Sequence, residues 1–207
     1  MHKEINHPLI KVKLSRMRNK NTDSRDFRSN LIELSQFMAF EVMKNIKLKS
    51  FKIETPVSKT IGYKFANNVV LVPILRAGLG MVDGFKNMIP QASIGFIGLY
   101  RDEKTFKPVE YYCKMPECMN GSNVFILDPM LATGNSIVKA IDIIKKRYKP
   151  KNISVVCIVS VMTGIKLIEK KHPNVFIYTC SIDKKLNKKK YIIPGLGDAG
   201  DRIFGTK

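Results

Sequence analysis

Asp128 ends the apolar run of residues 124–127 and opens a loop, Pro129, Met130, Leu131 and Ala132, that closes on Thr133, Gly134, Asn135 and Ser136. Ile137, Ala140, Ile141, Ile144 and Tyr148 then recur at helical spacing. The unit reads as strand, acid, small-residue loop, helix. A helix start leaves backbone N–H groups without intrahelical partners and carries partial positive charge. Gly134 lets backbone approach a ligand, and Thr133 and Ser136 add hydroxyl donors, so the turn suits a phosphate. Asp128 does not favour a phosphate; it suits sugar hydroxyls or a metal ion. A phosphate beside a polyol is a phosphorylated sugar. An ordinary strand-to-helix turn capped by Ser or Thr has the same outline.

Two more apolar runs end on charge. Residues 69–75 stop at Arg76, followed by Ala77, Gly78, Leu79 and Gly80, and residues 93–100 stop at Arg101 and Asp102. A guanidinium fork matches phosphate oxygens, and glycine permits close backbone approach; a solvated arginine in a turn is the alternative. Near the end of the chain, Gly195, Gly197 and Gly200 surround Asp198. That stretch is too apolar for a disordered tail. Its backbone groups could face a flat, hydrogen-bonding ligand such as a base, or simply form a tight surface turn.

The elements that must position these residues alternate. A basic arm, residues 1–22, is expected to pack on the body or on a partner subunit. A helix follows from Asp23 or Ser24, its core face marked by Phe27, Leu31, Leu34, Met38 and Val42. Residues 48–68 read as irregular, with Pro56 and Gly62 as breakers. Strand-like runs at 69–75, 93–100, 124–127, 153–161 and 174–181 alternate with helical segments. This predicts an α/β fold, a parallel sheet flanked by helices, in which ligands bind outside the carboxyl ends of the strands. Pro73 argues against a central, fully paired strand, so the ladder is expected to end there. Residues 102–116 are long for a connection and are expected to form a flap or hairpin over a site.

The chain has 207 residues and is 44% hydrophobic, which suits one domain over residues 1–207. No run approaches the roughly 20 apolar residues of a membrane span, and the N-terminus lacks a secretory core; a cytoplasmic location with no membrane partner is expected. Cys157 and Cys180 lie in apolar runs as packed thiols. Cys113 and Cys118 lack the second pair that a metal site needs. His172, before Pro173, reads as a surface residue. The net charge of +19 suits nucleic acid, a membrane surface or a polyanionic substrate. The excess is mostly lysine spread along the chain. The densest run, residues 184–190, has neither arginine nor interleaved aromatics, so a compositional bias outweighs nucleic-acid binding.

Residues 128–134, Asp-Pro-Met-Leu-Ala-Thr-Gly, resemble the phosphoribosyl-diphosphate signature of type I phosphoribosyltransferases, in the Asp-Pro-Met form of the uracil phosphoribosyltransferase family. Residues 73–80, 99–101, 108–112 and 194–202 are similar to that family too, and the resemblance extends from about residue 7 to 207. It implies transfer of a ribosyl 5-phosphate from 5-phosphoribosyl 1-diphosphate to N1 of uracil, giving UMP and diphosphate. It implies a small hood of terminal segments over the base. Carried over by position, Asp128, Pro129, Met130, Leu131, Ala132, Thr133, Gly134, Asn135 and Ser136 would hold the ribose hydroxyls and the 5-phosphate. Arg76 and Arg101 would hold the diphosphate. Ile192, Gly197, Asp198 and Ala199 would meet uracil, and Asp198 would also touch phosphoribosyl diphosphate or its magnesium ion (Mg2+), which is bound mainly through substrate oxygens. Arg101 and Asp198 are the expected catalytic residues. The resemblance also implies a homo-oligomer, dimer or tetramer, through the helix at 24–47, with GTP as a candidate activator.

The chain departs from that family in two places. Asn135 stands where glycine is usual, and asparagine tolerates left-handed backbone better than most residues. Residues 160–164, Ser-Val-Met-Thr-Gly, replace the usual Ala-Pro-Glu and are expected to lie away from the site. An RNA-binding regulator on the same fold is the competing reading, motivated by charge alone; the intact tail for the base favours the enzyme.

Overall fold

The computed structural model describes residues 1–102 and 108–206, without the side chain of Arg101. The chain runs β1 (His2–Glu4), α1 (Pro8–Arg18), α2 (Ser24–Met43), β2 (Leu48–Glu54), β3 (Lys59–Phe65), β4 (Val69–Leu75), a 3-10 turn (Ala77–Met81), α3 (Val82–Met88), β5 (Ser93–Ile94), β6 (Phe96–Arg101) and β7 (Pro108–Lys114). It continues through a second 3-10 turn (Glu117–Met119), β8 (Asn123–Leu127), β9 (Met130–Leu131), α4 (Asn135–Arg147), β10 (Asn152–Val161), α5 (Met162–Lys171), β11 (Phe176–Asp183), β12 (Lys185–Leu186), β13 (Ile192–Ile193) and α6 (Ala199–Phe204).

The main sheet has the order β1-β11-β10-β8-β4-β6-β7, with β5 beside β4 and β9 beside β10. Its pairings are parallel except the β6–β7 hairpin. Side chains alternate across a strand, so each apolar run feeds two cores. Val69 and Leu71 of β4 and Phe125 and Leu127 of β8 pack with α1, α2 and α3. Val70, Val72, Val124 and Ile126 pack with α4 and α5 on the other face. Helix α2 starts where Asp23 accepts the Asp26 N–H at 2.8 Å, an N-cap that satisfies one orphan donor. Its residues Phe27, Leu31, Leu34, Met38 and Val42 are all buried. The N-terminal segment joins the body: β1 pairs with β11 and α1 packs on α2.

Several expectations are corrected. Pro73 sits in a central strand, between β8 and β6. The ladder to its β5/β6 side is interrupted there, with Leu71 paired to Ile94 and Ile74 to Ile97. Leu71 turns its carbonyl to that side, accepting the Gly95 N–H at 2.9 Å, and Pro73, two residues on, faces the same way, so its missing donor falls at the gap. Residues 48–65 are not irregular; β2 and β3 form an antiparallel hairpin with nearly every residue exposed. His172 is buried rather than on the surface, at the end of α5, with its Nε2 3.1 Å from Asp142. Burial, then the Lys145 charge, holds its imidazole below the usual range. Cys157 and Cys180 are buried thiols, and burial pushes both upward. Among the described residues no helix is long and apolar enough to cross a membrane. The tip of the expected flap, residues 103–107, lies outside the described residues; its stem is the β6–β7 hairpin.

Candidate active site

Strands β8, β4 and β6 are adjacent in the sheet, and the three charged positions follow their carboxyl ends. Asp128 follows β8, Arg76 follows β4, and the backbone of Arg101 closes β6. The strand order, more than any local motif, makes these residues neighbours. The side chain of Arg101 is not among the described atoms, so its expected role has only this backbone position behind it.

Asp128 is partly exposed and accepts the Met130 N–H at 3.1 Å. Burial pushes its carboxyl up to about 7, against the downward pull of that hydrogen bond. Pro129 turns the chain back onto β10, its carbonyl accepting from Ile158 (3.1 Å) and Val159 (3.0 Å). Met130 and Leu131 then pair in parallel with Val159 and Ser160. The loop thus has a fixed floor.

Gly134 caps α4 with φ 84 and ψ −9, and no side chain caps the helix in its place. The first N–H groups of this 13-residue helix carry partial positive charge and have no side-chain cap, with Thr133 and Ser136 beside them in the chain. The left-handed angle falls on Gly134, and Asn135 is an exposed first helical residue. The departure at Asn135 consequently places no strain on the loop. The other departure is not remote, contrary to expectation. A Cβ on Gly134 would meet the Gly164 carbonyl at 2.9 Å, and a Cβ on Gly164 would meet the Ala132 carbonyl at 2.4 Å. Gly164 is the surface on which the phosphate loop rests.

Arg76 is exposed and pairs loosely with Asp201 of α6, at 3.4 Å. Behind it, Gly78 is required by contact: a Cβ there would lie 2.2 Å from the Leu127 carbonyl. An exposed ion pair at this distance stabilises little. Arg76→Ala is therefore expected to leave the melting temperature within about 2 °C while raising KM for an anionic substrate about tenfold or more. Thermal unfolding and steady-state kinetics on one preparation check both halves; an unchanged KM removes Arg76 from the site.

The hood closes the crevice. Ile192 is buried and pairs with Leu186 across β12–β13. Asp198 caps α6, with Oδ1 accepting the Asp201 N–H at 3.0 Å. Gly195 and Gly197 both have left-handed φ, 62 and 74. A pocket of about 320 Å³ is lined by Ala77 and Met130 from the strand ends and by Gly197, Asp198, Ala199 and Gly200 from the hood. Tyr191, Lys189 and Lys190 complete it. The two lysines escaped the reading of the sequence, whereas Tyr191 opens the tail read there as a loop for a flat ligand. The lysines belong to the run taken as compositional bias; its position five residues before the glycine-dense tail was the available signal. Arg76, Asp128, Thr133, Gly134, Ser136 and Ile192 are not among the residues that line this pocket.

Residues 4–206 match the family model described as Uracil phosphoribosyltransferase. The chain is 60% identical over 203 residues to a uracil phosphoribosyltransferase of Malacoplasma penetrans (strain HF-2), covering 98% of each chain. It superimposes on the structure of the AQ2163 protein from Aquifex aeolicus with a TM-score of 0.95 at 38% identity, covering 100% of this chain and 99% of that one. A purine phosphoribosyltransferase from Pyrococcus horikoshii Ot3 shares the fold, with a TM-score of 0.50 at 14% identity over 73% of this chain and 85% of that one.

Proposed function

The chain belongs to the uracil phosphoribosyltransferase family, and on that premise we propose how its residues share the reaction. The enzyme transfers a ribosyl 5-phosphate from 5-phosphoribosyl 1-diphosphate to N1 of uracil, giving UMP and diphosphate in pyrimidine salvage. It acts as a single domain over residues 1–207. The observation that supports the assignment of roles is a pocket lined by Ala77, next to Arg76, by Met130 of the loop that Asp128 opens, and by Asp198 of the hood.

The reaction breaks the bond between the anomeric carbon and diphosphate, leaving an oxocarbenium-like sugar and a highly charged leaving group. Such a step needs positioning and neutralisation more than a nucleophile. Asp128 accepts the ribose hydroxyls, and residues 129–136 with the α4 N-terminus hold the 5-phosphate. Arg76 and Arg101 hold the diphosphate. The backbone of Ile192, Gly197, Asp198 and Ala199 reads the edge of uracil. Lys189 and Lys190 add positive charge at the mouth, which suits a polyanionic substrate. The carboxylates of Asp128 and Asp198 are hard oxygen donors and fit Mg2+; Asp198 would help hold an ion bound mainly through substrate oxygens. When bound, that ion neutralises charge on the diphosphate.

The enzyme works as a homo-oligomer. Exposed apolar side chains on β2–β3 (Phe51, Ile61, Tyr63) and at the end of α2 (Phe40) support a partner surface, and the expected interface on α2 extends to Leu9 and Met88 beside it. GTP as an activator and a cytoplasmic location belong to the same reading; four unbridged cysteines suit a reducing compartment.

The test is an assay of purified protein with Mg2+, phosphoribosyl diphosphate and a panel of bases. UMP from uracil, at a kcat/KM at least a hundredfold above that for cytosine or a purine, is expected. Preference for another base would overturn the assignment of residues 192–199.

A further inference from the structure

The hood loop has short elements of its own, yet the backbone it presents to the pocket must be held to a few tenths of an ångström for a base to be read. Its anchors come from far away in sequence. Arg18, the last residue of α1, makes a bidentate pair with Asp183, the last residue of β11: Nη1 to Oδ2 is 2.8 Å and Nη2 to Oδ1 is 2.6 Å. Arg18 Nη1 also donates to the Gly195 carbonyl at 3.0 Å, and the Gly195 N–H donates to Asp183 Oδ2 at 2.8 Å. Both backbone groups of Gly195 are therefore held by one ion pair. Ser181 braces the pair, donating to Asp183 Oδ1 at 2.9 Å and accepting from Arg18 at 3.1 Å.

The next carbonyl is held by a second arginine. Arg202 of α6 donates to Leu196 O at 3.0 Å, and to the carbonyls of Met17, Asn19 (2.7 Å) and Thr22 (3.4 Å). Its guanidinium lies over the Phe27 ring, 4.4 Å from the centroid, which fixes its plane. The side chain of Asp183 is 3% exposed. Burial pushes its carboxyl up, but Arg18, the Gly195 N–H and Ser181 together hold it below the usual range. A buried pair of this kind is weak evidence for stability, since replacing both partners by apolar groups is often neutral; what it fixes is geometry. None of Arg18, Asp183 and Arg202 lines the 320 Å³ pocket.

We infer that Arg18, Asp183 and Arg202 are positioning residues for the base subsite: they clasp the backbone of Gly195 and Leu196 and so set the Gly197–Ala199 groups that face the pocket. This rests on the assignment of that loop to uracil made under Proposed function. It makes the N-terminal arm part of the base site, although the arm lies more than 170 residues away in sequence.

The test uses Arg18→Lys and Arg202→Lys, which keep the charge but lose the fork, and Asp183→Asn as a second probe of the pair. Expected are a rise of KM for uracil by tenfold or more with KM for phosphoribosyl diphosphate within about twofold, and amide hydrogen exchange at least tenfold faster in residues 194–199 with the central sheet unchanged. An equal rise of both KM values overturns the inference, as does unchanged exchange, or faster exchange with an unchanged KM for uracil. Arg202→Lys acts on a different carbonyl of the loop, that of Leu196, so the inference stays refutable should Arg18→Lys not fold. If the unaltered enzyme makes no UMP, the base assignment fails, and the exchange measurement still decides the clasp.

Discussion

Asp128→Asn lowers kcat/KM for phosphoribosyl diphosphate by about two to three orders of magnitude, the scale of losing one buried group that meets the reacting sugar, and it raises the stability of the ligand-free protein at pH 8. Both effects have one cause. The carboxyl is partly buried, with the Met130 N–H as its hydrogen-bond donor, and burial lifts it from 3.8 to about 7. An unfolded chain releases that proton near pH 4, whereas the folded chain keeps it until about pH 7. Stability therefore falls as pH rises between these values and is level above them. The full penalty of such a displacement is on the order of 4 kcal/mol; the carboxylate retains some water, so about 2 kcal/mol is expected. Urea denaturation at pH 5 and pH 8 checks it: this interval spans about two thirds of the displacement, so the wild type should lose about 1 kcal/mol across it and the variant much less. Stability curves of equal slope for the two proteins would refute the account.

The same ionisation governs binding. Only the carboxylate accepts two ribose hydroxyls, so kcat/KM for phosphoribosyl diphosphate should fall about tenfold per pH unit below about 7. The substrate's own phosphates titrate in this region too, and the variant controls for them: the part of the acid limb that belongs to Asp128 is absent from it. A site that is costly in the empty protein and relieved by its ligand is the usual compromise of an active site with stability.

The chain's sheet was legible because burial writes itself as composition. Residues 69–75 and 124–127 are apolar on both faces since both faces are covered, and each ends where the chain leaves the core, at Arg76 and Asp128. The adjacency of β8, β4 and β6 was not legible; it follows from crossovers, and it turns three separate strand ends into one site. The β2–β3 hairpin was missed although Phe51 and Ile53, and Ile61, Tyr63 and Phe65, alternate with polar or small residues; Pro56 and Gly62 were read as breakers, and the hairpin buries too little to show as an apolar run. Lys189 and Lys190 were missed because a lysine run carries no sign of what it faces. Gly164 was discounted because the contact that matters is one of backbone with backbone, and sequence records it only as a missing side chain.

Gly164→Ala is the second large effect expected, and two terms oppose each other in it. Gly164 lies inside α5, with no left-handed φ, and alanine in a helix interior is favoured over glycine by about 1 kcal/mol. Against this, the new Cβ would stand 2.4 Å from the Ala132 carbonyl and 2.8 Å from Leu131 Cδ1. One neighbour is backbone in a loop tied to β10 at Met130 and Leu131, so relief requires the loop or α5 to move by the better part of an ångström. Overpacking of this kind costs about 1–3 kcal/mol, and the contact term wins. The displaced loop carries Thr133 and Gly134, and a shift near 1 Å in a substrate-positioning element is worth up to about a hundredfold. KM for phosphoribosyl diphosphate should rise by one to two orders of magnitude with KM for uracil little changed, because the hood is anchored elsewhere. Gly134→Ala presses on the same contact from the other side and adds a strained φ, so the double variant should be less destabilised than the sum of the singles, by at least about 0.5 kcal/mol. Urea denaturation and kinetics on the three proteins decide it. A Gly164→Ala protein more stable than wild type, with an unaltered KM for phosphoribosyl diphosphate, would mean that helix propensity governs this position and that the phosphate loop does not rest on α5.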